Sequence, residues 1–336
     1  MPLPLSGQIS FSQLAAELGN ACSNVGLRAY SACANLTSPD SIIELYGKTC
    51  TPVYGGAGTW STGGALIRVR RALSTAGTQN TGLVTGGLTN TGNISCTEEY
   101  NGTSWSEGGA LITTRAYLAG GGTQNESFTT AGFTGVLVTC TEEYNGTSWS
   151  TGGALIKSTF SPGGAGSQNA GIIFGGCVAS ITCTEEYNGT SWSTGGTLAT
   201  ARYLLAGAGT QNAGLAMGGG LSNGGYSFAR VSCTEEYNGT SWSTGGSLIT
   251  ATCEFGGGGT QNEAFVAGGN TTSFNSSCTE EYNGTSWSTG GVLIVARRYT
   301  SATGTQGGGL VMGGISSANL SCTEEYNKSV ISICLA

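Results

Sequence analysis

One pentapeptide, Cys-Thr-Glu-Glu-Tyr, occurs six times in this chain, starting at Cys96, Cys140, Cys183, Cys233, Cys278 and Cys322, at intervals of 43 to 50 residues. A period in the forties belongs to a propeller blade or to an array of paired helices. Each unit carries several glycines, an Asn-Gly pair and a run of β-formers, with no sustained apolar spacing of 3.6 residues, which argues against helices. A β-propeller of four-stranded blades remains. The 60 glycines and the low share of charged residues, 9%, suit short strands joined by tight turns.

Within the first unit the strands fall at about 72–76, 82–85, 95–100 and around Trp105, separated by Gly77-Thr78-Gln79-Asn80, Gly86-Gly87 and Asn101-Gly102. Asn-Gly between two β-rich runs is a strong hairpin signal, because both residues accept the positive φ of a type I′ turn. The array ends unevenly: Trp60 has no pentapeptide before it, and the copy ending at Tyr326 has no Trp after it. One orphan fourth strand and one missing fourth strand make a whole blade. Trp60 and Tyr326 are therefore the expected closure residues of a six-bladed ring without exposed edges. The expected divisions are an N-terminal segment over 1–50, the propeller over 51–327 and a tail over 328–336.

The pattern resembles the kelch repeat, in which Gly-Gly ends the second strand, Tyr lies on the third, Trp on the fourth and Arg precedes the next blade. Gly86-Gly87, Tyr100, Trp105 and Arg115 carry the likeness, and their equivalents recur along the chain. Ala131-Gly132 departs from it, and Thr159 and Thr252 stand where Arg70, Arg115, Arg202 and Arg297 occur elsewhere. The resemblance implies an all-β, six-bladed kelch-like propeller in which buried Arg–Glu pairing is not uniform around the ring.

Materials for catalysis are few. The chain has no His, so a Ser-His-Asp triad, a His-ligated zinc and the copper centre of kelch-type oxidases lack their ligands or bases. Asp40 is the single Asp, which also weakens the passing similarity of YNGTSW to the Asp-box of sialidases. Adjacent carboxylates such as Glu98 and Glu99 point to opposite faces of a strand. One is expected to meet an Arg or backbone N–H groups and the other to meet solvent. Calcium-loop spacing is absent. No catalytic residue, metal or cofactor is expected. The six repeat cysteines are expected to be small buried hydrophobes, and bridges between Cys177 and Cys183 or between Cys50 and Cys334 stay open. A net charge of −7 with no basic run argues against nucleic acid, and no apolar stretch is long enough for membrane insertion by a helix. MPLPLSGQIS lacks the pattern of a Sec signal, so sequons such as Asn101-Gly102-Thr103 are read as turn chemistry.

Comparison among the copies separates two faces. Loops between third and fourth strands, YNGTSW, and between first and second, GTQN, are nearly constant. Segments at the opposite end vary: 88–95, 133–139, 177–182, 220–232, 270–277 and 315–321, with blade-to-blade stretches such as 113–121. Such loops on a rigid frame suit recognition, although unconstrained drift would also diversify them. Asn223, Tyr226, Phe228, Asn270 and Phe274 are the candidate ligand contacts of that face.

Two short helices are expected before the repeats, over 10–19 and 38–47, from a capping box at Ser10 and Gln13 and from Pro39 at a first helical position. Residues 6–19 and 41–48 resemble the N-terminal module of bacteriophage structural proteins, which carry SGxISxSxLxxELG and later LYGK. That resemblance implies a virion component, a tail fibre or decoration attached to other virion proteins through residues 1–50, with the propeller facing a host-surface glycan or receptor. A homo-oligomer is compatible with it. The rival expectations are a propeller hydrolase or lyase acting on polysaccharide, and a purely architectural module.

Overall fold

The computed structural model describes residues 49–54, 56–176, 182–222, 228–272 and 274–335. The two helices expected before the repeats lie outside the described residues. Six four-stranded antiparallel sheets follow one another along the chain. Blade one, for example, is Ser74–Gly77, Gly82–Thr85, Thr97–Tyr100 and Trp105–Glu107. Its first strand starts two residues later than expected, because Ala72 takes a left-handed φ of 53° that no strand accommodates.

The sixth blade closes the ring as the uneven ends of the array require. Thr59–Thr62 pairs antiparallel with Thr323–Asn327, with Trp60 opposite Tyr326. Their rings lie 4.8 Å apart, and Trp60 packs with Phe265, Leu293 and Val311 in one buried cluster. The propeller unit therefore spans Thr59–Asn327. In a separate unit, Thr49–Tyr54 pairs with Val330–Leu335, in a register that sets Cys50 opposite Cys334. Cys177 lies outside the described residues.

The first strands of all six blades surround a central cavity of about 250 Å³. They converge so tightly that a Cβ added at Gly256 would meet the backbone nitrogen of Ala302 at 2.7 Å. This explains why these strands read as runs of Gly, Ala, Ser and Thr: bulk at the axis would force the blades apart.

The repeated letters are joints between blades. Thr97, the second residue of its pentapeptide, accepts a 2.9 Å hydrogen bond from the Trp149 indole of the next blade. Glu98 takes the backbone N–H groups of Ile67 and Arg68, which lead in from the preceding blade. Glu99 accepts from the Tyr144 hydroxyl at 2.5 Å. Tyr100 donates in turn to Glu325. Gln124, from the GTQN loop, donates to the Tyr100 carbonyl at 2.8 Å. Equivalent bonds recur at every joint, closure included, where Trp60 donates to Thr279 and Gln79 to the Tyr326 carbonyl. Asn101 folds its own turn, its Oδ1 accepting from the N–H groups of Thr103 and Ser104. The second Glu of the pair thus meets a tyrosine rather than solvent alone. Burial and the bonded carboxylate push the Tyr144 and Tyr187 hydroxyls up to about 12.

Four first glutamates also hold a buried arginine: Arg70 with Glu98, Arg115 with Glu142, Arg202 with Glu235 and Arg297 with Glu324. In the blades where Thr159 and Thr252 replace arginine, Glu185 and Glu280 keep their two backbone donors, yet burial raises both pKa values. The folded state then binds these protons more tightly than the unfolded chain. Their favourable contribution is complete below the ordinary carboxylate pKa of about 4.3 and is lost as pH rises through the raised folded values. A Glu185→Gln/Glu280→Gln variant is expected to melt with a flatter pH dependence than the parent between about pH 5 and pH 8, as calorimetry at both ends would show. A steeper dependence would contradict the assignment.

The Gly-Gly signal also has a conformational reason. Gly86, Gly175, Gly218, Gly268 and Gly313 have φ between 51° and 73°, and Ala131 is held at 61° in the same place. An L-residue is strained there. Ala131→Gly is expected to stabilise the protein by about 0.5–1 kcal/mol in denaturant titration, the relief exceeding the added chain entropy.

The repeat cysteines differ from expectation. Cys96, Cys140, Cys183, Cys233 and Cys322 are half-buried and Cys278 is exposed, all as free thiols. They stand just before the third strand, at the end of the blade, where the side chain is only partly covered.

Candidate functional site

With the constant letters occupied in joints, the residues that differ between blades stand out. At the variable end of each first strand one residue takes a left-handed conformation: Ala72, Tyr117, Ser161, Leu204, Glu254 and Tyr299, with φ from 49° to 61°. Their backbones form a chain around the axis. Tyr117 donates its N–H to the Ala72 carbonyl, Ser161 to Tyr117, Leu204 to Ser161, Glu254 to Leu204, and Ala72 to Tyr299, at 2.8 to 3.2 Å. The lining of the central cavity begins at the next residue in five blades and two residues on, at Ser301, in the sixth, so this ring marks one end of the cavity. All six residues take the same left-handed φ, while the side chains are of five kinds.

Glu254 is the acid of this ring and is only 5% exposed. Its Oε2 accepts from Asn270 Nδ2 at 3.2 Å and lies 3.6 Å from Arg298 Nη1. Burial raises its pKa, against the opposing pull of a hydrogen bond from Tyr299 and the charges of Arg298 and Arg230. The adjacent Cys253 thiol is buried and pushed up to about 12 by desolvation and the Glu254 charge. Next to Glu254 the aromatic side chains adjoin, starting from Tyr299, which hydrogen-bonds to it. Tyr117 meets Phe160 at 4.4 Å and Tyr299 edge-on at 5.9 Å, and Phe133 meets Phe160 at 6.3 Å.

The variable loops are tied to one another. Asn93 donates to the Phe133 carbonyl, Arg230 to Asn270, Asn275 to Ser316 and Asn319 to Leu88, each reaching the next blade. Diversified side chains therefore stand on a braced frame.

Of the candidate contacts, Phe274 is at a loop tip and 79% exposed. Asn270 is buried at 9% exposure and holds Glu254, so it positions a neighbour and is not an open contact. Asn223 and Tyr226 lie outside the described residues, and Phe228 begins the short strand Phe228–Arg230. Glu254 and its surroundings escaped the sequence reading. The available signal was that unit five reads Thr252-Cys253-Glu254-Phe255, placing a charge where the other units carry Ala, Tyr, Ser, Leu and Tyr.

The fold has a solved counterpart. The chain is similar to the protein described as "Structure of YjhT", with a TM-score of 0.64 at 11% identity over 77% of this chain and 95% of that one. At that identity the likeness establishes the propeller fold. No family model matches the chain, and no curated protein matches it. Any functional reading of the Glu254 region therefore rests on its own geometry.

Proposed function

We propose that this chain is a non-catalytic recognition propeller of a bacteriophage virion. In this reading residues 1–50 attach it to other virion proteins, and the diversified face meets a host-surface glycan. The observation that carries the recognition part is the division of labour between faces: the repeated residues bond blade to blade, while the variable residues stand on braced loops around a ring of constant backbone. Exposed Phe274 and Val136 on those loops supply contact surface. The kelch-like marks at Gly86-Gly87, Tyr100, Trp105 and Arg115 and the phage-like segments at 6–19 and 41–48 support the assignment of class.

The test is an array of bacterial surface polysaccharides probed with the full chain. Binding without cleavage is expected, weakened about tenfold by Phe274→Ala or by replacing 220–232 with a plain turn, and unchanged by Thr147→Ala on the opposite face. Equal loss from both faces, or release of shortened glycan, would overturn the reading.

A further inference from the structure

We propose that the centre of the variable face, between Arg298 and Tyr117, is a binding site for a carboxylated sugar. The proposal rests on the glycan reading above and specifies its chemistry.

The arginines are distributed tellingly. Arg70, Arg115, Arg202 and Arg297 are buried in joints, and Arg68 pairs with Glu107. The remaining described arginines, Arg71, Arg230 and Arg298, all belong to the centre of this one face, on a protein of net charge −7. Arg71 and Arg298 are linked through one loop: Ile315 pairs with Arg298 on one side and Asn319 on the other, and Asn319 Oδ1 accepts from Arg71 at 2.6 Å. Arg230 donates to the Asn270 carbonyl, and its charge acts on both Cys253 and Glu254. Among the described residues, Glu254 is the carboxylate that faces this arc, one acid against three bases.

Arg298 is the best placed to take a ligand. Its side chain is 38% exposed, Glu254 holds one end of the guanidinium, and its guanidinium carbon lies 5.6 Å from the centroid of the Tyr299 ring. Its Nε is buried with no hydrogen-bond partner. With Glu254 bracing the guanidinium, its exposed part presents N–H donors and a positive charge that suit a carboxylate. Beside it, Tyr299, Tyr117, Phe160 and Phe133 form a continuous aromatic surface in which both tyrosines are partly exposed. Aromatic faces take the apolar C–H side of a ring, and the tyrosine hydroxyls can exchange hydrogen bonds with its hydroxyl groups. A cationic fork next to an aromatic wall is the complement of a sugar ring that bears a carboxylate. A neutral sugar would make no use of the exposed charge of Arg298, and a simple anion would leave the aromatic wall without a contact.

Glu254 acts here as a positioning residue. It orients Arg298 and Tyr299 from below, and Asn270 holds it in turn.

The experiment titrates the full chain with trigalacturonate and, separately, with its methyl ester, which keeps the sugar skeleton and removes the charge. The acid is expected to bind at least about tenfold more tightly than the ester and to weaken as salt rises. Arg298→Ala is expected to abolish that preference. Tyr117→Ala should weaken acid and ester alike, and Arg68→Ala should leave both unchanged. Melting curves establish that each variant is folded. Glu254→Gln should reduce the preference for acid while Tyr117-dependent binding of the ester persists. Equal binding of acid and ester, or loss of neither with Arg298→Ala, would overturn the proposal while leaving glycan recognition standing. Failure of both probes to bind would overturn it as well. The polysaccharide array, which contains neutral glycans, separates that failure from failure of the broader function.

Discussion

Removing residues 1–62 is expected to destroy the ring, whereas removing 1–58 should leave the propeller folded. The four residues between these cuts contain the strand Thr59–Thr62, the outer strand of the last blade. Without it, Thr323–Asn327 presents a row of free N–H and C=O groups, the template for edge-to-edge association. The missing Trp60 also leaves a hole against Tyr326 and Phe265 and deprives Thr279 of its indole donor. Trp60→Ala in the full chain isolates the side chain and is expected to cost about 3–5 kcal/mol. Size-exclusion chromatography and denaturant titration check both effects. A shorter chain that stays soluble, unassociated and as stable as the 1–58 deletion would refute closure by this strand. The equivalent Trp149→Ala should cost a similar amount, because Trp149 makes the same indole bond to Thr97 and the same ring contact to Tyr144.

Arg115→Met is the second large effect, an expected loss of about 3 kcal/mol. Arg115 is fully buried, bonded to Glu142 and to the Thr129 carbonyl. Removing one partner of a buried ion pair strands the other, at about 3–5 kcal/mol. The lower end applies because the chain already keeps two such carboxylates: Glu185 and Glu280 survive without arginine on two backbone donors each. The loss should grow as pH rises, since buried carboxylates of this kind that lack an arginine, Glu185 and Glu280, hold their protons more tightly in the folded state. Arg115→Met/Glu142→Leu should recover part of the loss but not all, because the part-buried N–H groups of Ile112 and Thr113 would lose their acceptor. Chemical denaturation of the parent and the two variants at pH 5 and pH 8 supplies the comparison. A pH-independent loss for Arg115→Met would contradict this account.

Taken together, the two predictions locate stability in the joints. Each repeat contributes a threonine, two glutamates, a tyrosine and a tryptophan to contacts with its neighbours, and a fault in any one is a fault between blades. This is why the segment recurs nearly unchanged while the opposite face does not.

How much of this the sequence determined follows from the range of the interactions. Blade number, the repeated hairpin positions and the pairing of Trp60 with Tyr326 depend on local turn chemistry and on counting repeats, so they were legible in advance, whereas the two-stranded pairings of Thr49–Tyr54 with Val330–Leu335 and of Gly220–Ser222 with Phe228–Arg230 were not. The buried pairing of one glutamate with arginine was legible too, and so were its two gaps at Thr159 and Thr252. Other features came from tertiary structure alone. That the second glutamate bonds to a tyrosine about 45 positions away is a matter of how blades face each other, which strand alternation cannot report. The half-exposure of the repeat cysteines depends on how far each blade covers the end of its third strand. Asn270 looked like an open loop residue, and only the packing of the fifth blade turned it inward against Glu254. Glu254 itself, Arg298 and Tyr117 are far apart along the chain and follow no shared motif. The sequence prescribes what is repeated, because repetition reflects contacts each unit makes in the same way. The ring, by converging six different residues on one axis, decides which unrepeated residues become neighbours.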